Sequence, residues 1–590
     1  MKMWNKILIA SVLSLMVISC GKDRSREQKV SAIINKIDSP FFVASTSLQN
    51  LMDKSEVMKE GTLPFTQYQV ISFFLDKELT GIDYNTDAQF IAGEGESFLP
   101  NFYGIFKIEK EESFIELIEV EANAKIEEKD GMKYAIKESE GYCVVWNEDI
   151  AIISNIPVDL AAMLSGKGNG GQKMVNKNIE LIKAAEDGDI NEDYVAFLEH
   201  DADISMHYEG AAFYKYMESM SMEKTEDLEA VKEMYEGMKY DMFMNFNKGN
   251  MEMEMVADLS DKLKKELSFM GKDGVSKSLF AYGKSANPML TGTYKLDISG
   301  FLDYFKTINE DAYDEMVNDM EKSGLDINEV SKAFSGELVY MIEEVVKKEE
   351  VYDFGYEEPI TINNDEPIFG IVVGVSDKGF IETKLKEVII AQEMEGVMAS
   401  DDDKLEQMDA FKLEDEMPEI EVLDNGVIHM GDAFIFLGDN VLFMSNDEEW
   451  TSMVAAGNTI TINDPKGVLT ENPFCFYLDF AKVAQMDMGD DEEAAKALKM
   501  FKSFHGSANL DGGKFTLEFT DDSENSLKLL TMAVGAAMAD FEKQMNPGLE
   551  DELEEAIKDT EDAFEKLDEE LKNVNIEESI QDVKSELEDM

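Results

Sequence analysis

Tyr142-Cys143-Val144-Val145-Trp146-Asn147-Glu148-Asp149-Ile150-Ala151-Ile152-Ile153-Ser154-Asn155 decides the fold of this chain, because it has a counterpart. Ala433-Phe434-Ile435-Phe436-Leu437-Gly438-Asp439-Asn440-Val441-Leu442-Phe443-Met444-Ser445-Asn446 has the same shape: apolar strand, polar turn, apolar strand, Ser-Asn. Working outward, other matches keep the same order. Gly81-Ile82-Asp83-Tyr84-Asn85 recurs as Gly324-Leu325-Asp326-Ile327-Asn328, each time before an apolar strand pattern. Phe102-Tyr103-Gly104-Ile105-Phe106 is echoed by Ile368-Phe369-Gly370-Ile371-Val372. Phe114-Ile115-Glu116 and Phe380-Ile381-Glu382 then follow at the same spacing. Ordered correspondences of this kind predict a tandem duplication.

Each half closes on a similar hairpin. Met242, Met244 and Phe246 alternate with polar residues, Asn247-Lys248-Gly249-Asn250 turns, and Met251, Met253 and Met255 alternate back. In the second half Asp511-Gly512-Gly513-Lys514 turns and Phe515, Leu517 and Phe519 return. Period-two alternation about an Asn/Asp/Gly turn is a hairpin signal. Helices with one apolar face precede them, marked by Leu228, Val231, Tyr235 and Met238, and by Ala494, Leu498 and Phe501. The unit strand, helix, helix, strand, strand, helix therefore starts near residues 41, 204, 290 and 473, and β-meanders at about 125–155 and 419–446 separate the copies of each half. We expect an α+β fold: tandem duplicated modules of antiparallel sheets with helices on one face. Gly166 to Gly171 and the acidic Asp401-Asp402-Asp403 mark loops.

The two ends differ from this body. Lys2 and Lys6 precede the short apolar run Ile7 to Ile18, too brief for a membrane span, and Val17-Ile18-Ser19 leads into Cys20. Small or branched residues before a cysteine resemble the bacterial lipoprotein signal, which implies that Val17, Ile18 and Ser19 are the recognition residues and Cys20 the lipid attachment. Residues 21–38, polar with five basic and three acidic residues, read as a tether in which Val30, Ile33 and Ile34 allow a short packed helix. The tail, 547–590, holds eighteen acids and four lysines. Its stripe Leu553, Ile557, Phe564, Leu567, Leu571 and Val574 predicts helices that pack back on the body or take a partner. The expected division is signal 1–20, tether 21–38, first half 39–275, second half 276–546, tail 547–590.

Lipid signal, tether and repeated modules with a Gly-Ile-Asp lead-in resemble Bacteroidota lipoproteins of a domain-of-unknown-function family, over roughly 39–546. That resemblance implies the address and the fold and supplies no site. Gly21-Lys22-Asp23-Arg24 lacks the acidic stretch that sends some such lipoproteins to the cell surface, so the leaflet stays open.

Composition narrows the function. At 590 residues and 44% hydrophobic content the chain is folded material in more than one domain. A net charge of −70 repels nucleic acid and anionic head groups. The only arginines are Arg24 and Arg26, so the body beyond them has no guanidinium fork for carboxylate or phosphate. Cys143 and Cys475 sit in strand patterns and are expected as buried free thiols, with a bridge as the alternative in an oxidising envelope.

No catalytic constellation stands out. His200, His207, His429 and His505 have no metal-ligand spacing and are expected to be structural or exposed. Ser165 to Gly171 lacks the P-loop ending, and no GxSxG elbow occurs. Asp187-Gly188-Asp189-Ile190-Asn191 begins like a calcium loop, but Glu192 and Leu198 replace the required Gly and Glu, so a helix-ending turn is expected. Asp487, Asp490 and Asp491 are placed before a helix, where they suit its N-terminal dipole. Trp146, Trp450 and the strand-spaced Met251, Met253 and Met255 are assigned to packing. No cofactor or dedicated metal site is expected, only weak nonspecific divalent cation association. The expectation is a non-enzymatic lipoprotein of the cell envelope, in the outer membrane, acting by binding or assembly. Its partners would be the membrane, through its lipid, and an envelope protein, through its C-terminal helices. The alternatives are a hydrolase with a carboxylate pair and a charged structural component.

Overall fold

The computed structural model describes residues 24–59, 72, 75–95, 99–157, 170–220, 232, 234–322, 324–352, 360–399, 420–485 and 497–545. Cys20 with its recognition residues, Asp401 to Asp403, Asp487 to Asp491 and the tail 547–590 lie outside them.

The first half contributes ten strands. They are β1 (Pro40–Thr46), β2 (Ala88–Gly93), β3 (Asn101–Phe106), β4 (Ile126–Lys129), β5 (Met132–Lys137), β6 (Tyr142–Trp146), β7 (Ala151–Asn155), β8 (Ile204–Glu209), β9 (Met238–Asn247) and β10 (Asn250–Leu259). The second contributes β11 (Leu290–Lys295), β12 (Phe334–Tyr352), β13 (Ile360–Val375), β14 (Ile420–Val422), β15 (Ile428–Met430), β16 (Ala433–Leu437), β17 (Val441–Ser445), β18 (Phe474–Asp479), β19 (Phe501–Asn509) and β20 (Gly512–Phe519). All pair antiparallel in one 20-stranded sheet.

The pairings run β4-β5-β6-β7-β3-β2-β1-β8-β9-β10 through the first half. They then run β20-β19-β18-β11-β12-β13-β17-β16-β15-β14 through the second. The second order is the first in reverse, position for position. The halves meet where β10 pairs β20, centred on Met253 opposite Phe515, with Asn250–Glu518 and Val256–Gly512 symmetrically on either side. Strands start where alternation placed them, at 40, 204, 290 and 474, and the meanders are β4–β7 and β14–β17.

The matched side chains do the same work in both halves, in a frame one residue different from the sequence match. Asn155 accepts from the Phe102 amide at 2.7 Å and donates to the Pro100 carbonyl at 3.1 Å. Asn446 does the same with Phe369 and Pro367, at 3.0 and 2.9 Å. Phe102 therefore corresponds to Phe369, and Gly104 to Ile371, not to Gly370. Phe114, buried over the meander, correspondingly meets its equal in buried Ile381 rather than Phe380. Gly81 and Gly324 hold their equivalence: both have φ near +70°, and Asp83 and Asp326 each accept from the amide of the Asn two residues on. Glycine takes that backbone conformation without the steric cost other residues meet.

Helices cover both faces of the sheet, which corrects the one-face expectation. Helix Gly170–Asp187 packs on Cys143, Val145 and Ile152, whereas helix Glu111–Glu116 packs on Val144, Trp146 and Ala151. Those strand residues alternate, so they point to opposite faces. Both faces of the meander are apolar and each needs its own cover. The segment read as a tether also belongs to the body from residue 24 onward. Helix Arg26–Lys36 starts with a capping box at Ser25 and Gln28 and sinks Val30, Ile33 and Ile34 into the first core. The Arg24 guanidinium donates to the carbonyls of Ala184, Ala185 and Gly188 at the end of helix Gly170–Asp187. A cation suits that pole of a helix.

Ile34→Ala removes a fully buried side chain from this contact. It should lower unfolding stability by about 2–4 kcal/mol, read from the denaturant midpoint of the full chain. A loss below about 0.5 kcal/mol, the range of surface substitutions, would return this segment to a tether.

Candidate binding face

The two faces of the central sheet differ in how they are covered. Residues pointing to one face are close-packed: Val43, Ile105, Val145, Ile152, Val339, Met341, Val372 and Phe443 are fully buried. We call this the packed face. Its two cores are built on helices Arg26–Lys36 and Gly170–Asp187 in the first half, and on the segment around Leu279 with Trp450 and Leu469 in the second.

The residues between them point the other way; Ala92 and Phe246 among them are buried, and most of the others are half-buried or exposed. Following the register from β7 to β17, the opposite positions carry Ile153; Phe102 and Gly104; Phe90 and Ala92; Phe42 and Ala44; Ile204, Met206 and Tyr208. Next come Met242, Met244 and Phe246; Met251, Met253 and Met255; Gly513, Phe515 and Leu517; Phe504, Gly506 and Ala508. The row ends with Phe474, Phe476 and Leu478; Leu290, Gly292 and Tyr294; Leu338, Tyr340 and Ile342; Phe369, Ile371 and Val373; and Met444. No charged side chain interrupts this row. At about 4.8 Å per strand it runs roughly 60 Å.

Phe90, Phe102 and Tyr294 are 48%, 51% and 39% exposed. Phe90 lies opposite Gly104, which lies opposite Ile153, and the Ile153 side chain leans over the buried Gly104, 2.8 Å from where a Cβ would stand. In the second half Tyr294 stacks on Tyr340 with centroids 5.9 Å apart and meets Phe474 edge-on at 5.4 Å. Phe476 contacts Phe504 at 4.8 Å and Phe515 at 6.3 Å. Aromatic contacts of this geometry hold the rings in fixed orientation.

Each end of the open face is capped. Phe114 and Ile118 close one end against Trp146 and Ala151; Ile381 and Leu385 close the other against Val375, Leu437 and Leu442. Between the caps, helix Gly210–Met220 sets Ala212 and Tyr216 on Phe41 and Ala92. Helix Ser526–Met545 lies against β9 and β10. Helices Ile298–Ile308 and Glu310–Lys322, which cross from β11 toward β12, bury no residue, and Phe301 and Ile308 are exposed. Of the large apolar side chains on this sheet face, Phe90, Phe102, Ile153 and Tyr294 are the ones exposed among the described residues.

The sequence-selected residues fall into place around this face. Met251, Met253 and Met255 do share one side of β10, but they are half-buried on the open face rather than sealed in a core. Trp146 and Trp450 are fully buried, on opposite faces; their indole nitrogens donate to Glu111 at 3.2 Å and to the Tyr282 carbonyl at 3.0 Å. His207 Nδ1 is 2.7 Å from Asp241, while Nε2 sits 4.0 Å from Glu209 without a hydrogen-bond partner. His200 stacks on Phe243 and His429 on Phe434. Burial lowers the affinity of His505 for a proton. The calcium-like loop ends one helix, and Asn191 caps the next through the Asp193 amide. Among the described residues no group of three or more His, Cys, Asp or Glu is placed to hold a metal ion.

The two thiols are free, one in each packed core. Cys143 lies 3.4 Å from Ser154 Oγ, which accepts from Asn178 at 2.8 Å. Burial pushes its thiol up to about 11, and burial also pushes Cys475 up. The apolar face itself was missed by sequence reading. Its signal was present as alternation in each strand, but which alternate residues share a face depends on pairing between distant strands.

No protein family and no curated protein matches this chain. Among solved structures it is similar to crystal form IV of TP0453, at 7% identity over 38% of this chain and 79% of that one, with a TM-score of 0.23. That likeness is too slight to carry a fold or a site across. Among the described residues no helix is long and apolar enough to cross a membrane.

Because the reactive form is the thiolate, a Cys143 thiol at about 11 is only about one part in a thousand ionised at pH 8. Folded protein should therefore resist a thiol-specific reagent at pH 8 at both Cys143 and Cys475, and label stoichiometrically at both once denatured. Prompt labelling in the folded state would contradict their placement in the cores.

Proposed function

We propose that this chain is a lipid-anchored bacterial envelope protein that works by binding an apolar ligand or partner on the open face of its sheet. The observation that carries the proposal is the contrast between the faces. In β12, Val339 and Met341 are fully buried while Tyr340 and Ile342, alternating with them, are not. In each half folding buries a core on one side of the sheet and leaves the other side partly exposed, at a cost of about 25 cal/mol for each Å² of apolar surface left exposed. A bound occupant would recover that free energy.

The anchor is Cys20 in this proposal. Arg24 already belongs to the body, and four residues of chain reach at most about 14 Å. The body would therefore sit close to the bilayer that holds it. The mirrored strand order and the paired Asn155 and Asn446 contacts support descent of the two halves, 39–275 and 276–546, from a tandem duplication. The acidic tail is left to contact an envelope partner. Catalysis has less support, because the His207–Asp241 pair has no nucleophile hydrogen-bonded to it among the described residues.

The full chain carrying Cys20→Ser, released from its anchor, should bind the apolar dye Nile red saturably. Phe90→Asp and Phe102→Asp place charges at exposed positions of the face and should cut dye binding severalfold without changing the circular dichroism spectrum. Absence of dye binding by the folded protein would sink the proposal. In parallel, radiolabelled palmitate should be incorporated by the parent chain and not by Cys20→Ser.

A further inference from the structure

We infer that the helix pair Ile298–Ile308 and Glu310–Lys322 is a docking surface whose occupant is a basic amphipathic helix of another protein. The surface does not depend on what occupies the sheet face.

The two ladders provide an internal comparison. Helix Leu48–Ser55 follows β1 and helix Ile298–Ile308 follows β11, and these strands hold matching places in the strand order. Each helix starts on a side-chain cap: Ser47 accepts from the Asn50 amide, and Asp297 from the Ser299 amide. Aligned on those caps, Leu51, Met52 and Ser55 correspond to Phe301, Leu302 and Phe305. Met52 and Ser55 are buried and Leu51 is half-buried. Leu302 and Phe305 are only half-buried, and Phe301 is exposed. The second helix carries more apolar side chain at these positions and buries less of it.

The difference lies in the cover each helix receives. Helix Ser526–Met545, which follows β20 and is 20 residues long, packs on Leu48–Ser55, and its Lys528 reaches Glu56 at 2.9 Å. The segment that follows β10 takes the matching place on Ile298–Ile308. It consists only of helix Asp261–Glu266, six residues, and the 3-10 turn Leu267–Met270, four residues. Its Phe269 meets Phe301 edge-on at 5.6 Å and Tyr304 at 5.3 Å. The turn then ends at Gly271, with φ +66°. Ile308, in the last turn of the helix, stays exposed. Ile298, Phe301, Leu302, Phe305 and Ile308 recur at helical spacing. An apolar helix stripe is thus left partly open where the other half holds a long helix, and a docked helix reads such a stripe through residues three and four apart.

Charge selects which helix. Glu310–Lys322 packs beside Ile298–Ile308, turned by Asn309, whose side chain accepts from the Ala312 amide. Lys306 stands over the Tyr313 ring at 5.1 Å and ties the two helices together. Asp303 on the first helix and Asp311, Asp314 and Glu315 on the second are exposed. Acids bordering an apolar stripe complement an occupant whose own stripe is bordered by lysine or arginine. They repel the chain's own candidates. A second copy brings a net charge of −70, and the C-terminal stripe lies in a segment of eighteen acids and four lysines.

The test uses the full chain with Cys20→Ser and a fluorescein-labelled synthetic helix, read by anisotropy. Its leucines stand at i, i+3, i+4 and i+7 with lysines beside them, and a scrambled peptide of the same composition has no stripe. Saturable binding of the first is expected, with the scrambled peptide about tenfold weaker. Phe301→Asp and Ile308→Asp, both at exposed positions, should weaken it about tenfold while the thermal unfolding midpoint stays within a few degrees. Each adds a negative charge, so an attraction by charge alone would strengthen instead. Phe90→Asp, on the sheet face, should change nothing. Equal binding of the scrambled peptide, or no loss in the two variants, would overturn the docking surface. Ile308→benzoylphenylalanine should crosslink to the striped peptide on irradiation. Crosslinks to residues 547–590 or to a second copy in its place would overturn the assignment to a foreign helix.

Discussion

The backbone ladder between β10 and β20 is the contact on which the rest of the architecture depends. Each half of the chain builds a ten-strand ladder whose last strand presents unpaired amides and carbonyls. An exposed strand edge of that kind recruits other chains. Here the two edges satisfy one another, from Asn250 with Glu518 to Val256 with Gly512. Because the pairing is antiparallel and centred on Met253 and Phe515, it reverses the order of the second ladder and brings like faces of the two halves into one plane. A sheet of twenty strands follows from a single symmetric junction.

That junction also creates the open face. Each half alone would have a short apolar side, of a size that a few helices cover. Fused, those sides become one apolar row between the cap at Phe114 and the cap at Ile381. The packed face does not merge in the same way. At the centre its positions are polar, with Glu252 and Glu254 opposite Thr516 and Lys514, so its two apolar cores remain separate under their own helices. Interior packing tolerates little empty volume, and the packed cores obey that rule. On the other side of the same strands Phe90, Phe102, Ile153 and Tyr294 remain exposed.

Much of this was legible from residue order. Strand starts, both meanders and both hairpins follow from period-two alternation and turn residues, which act over a few positions. The pairing of Gly81 with Gly324 was legible because a left-handed backbone position favours glycine, and both take φ near +70°. The frame of the repeat was not. Identical letters at Gly104 and Gly370 pulled the match one residue away from the frame set by Asn155 and Asn446, whose hydrogen bonds to Pro100 and Pro367 cross dozens of residues. The charged composition of residues 21–38 suggested a tether, yet Val30, Ile33 and Ile34 were enough to bury a helix there. Arg24, set aside by sequence reading as part of that tether, has its guanidinium on the end of helix Gly170–Asp187.

Sequence alone determined the local units of this protein: which segments are strands, where they turn, and that the chain carries a net charge of −70 with no arginine beyond Arg26. These properties are carried by neighbours in the chain and by composition. Only the tertiary structure decided that the two ladders join at β10 and β20, that helices stand on both sides, and that Phe90, Phe102, Ile153 and Tyr294 stay exposed on one apolar face. Face identity in a sheet is set by hydrogen-bond register between strands far apart in sequence, and a shift of one residue turns every side chain to the other side. No stretch of sequence read by itself contains that information.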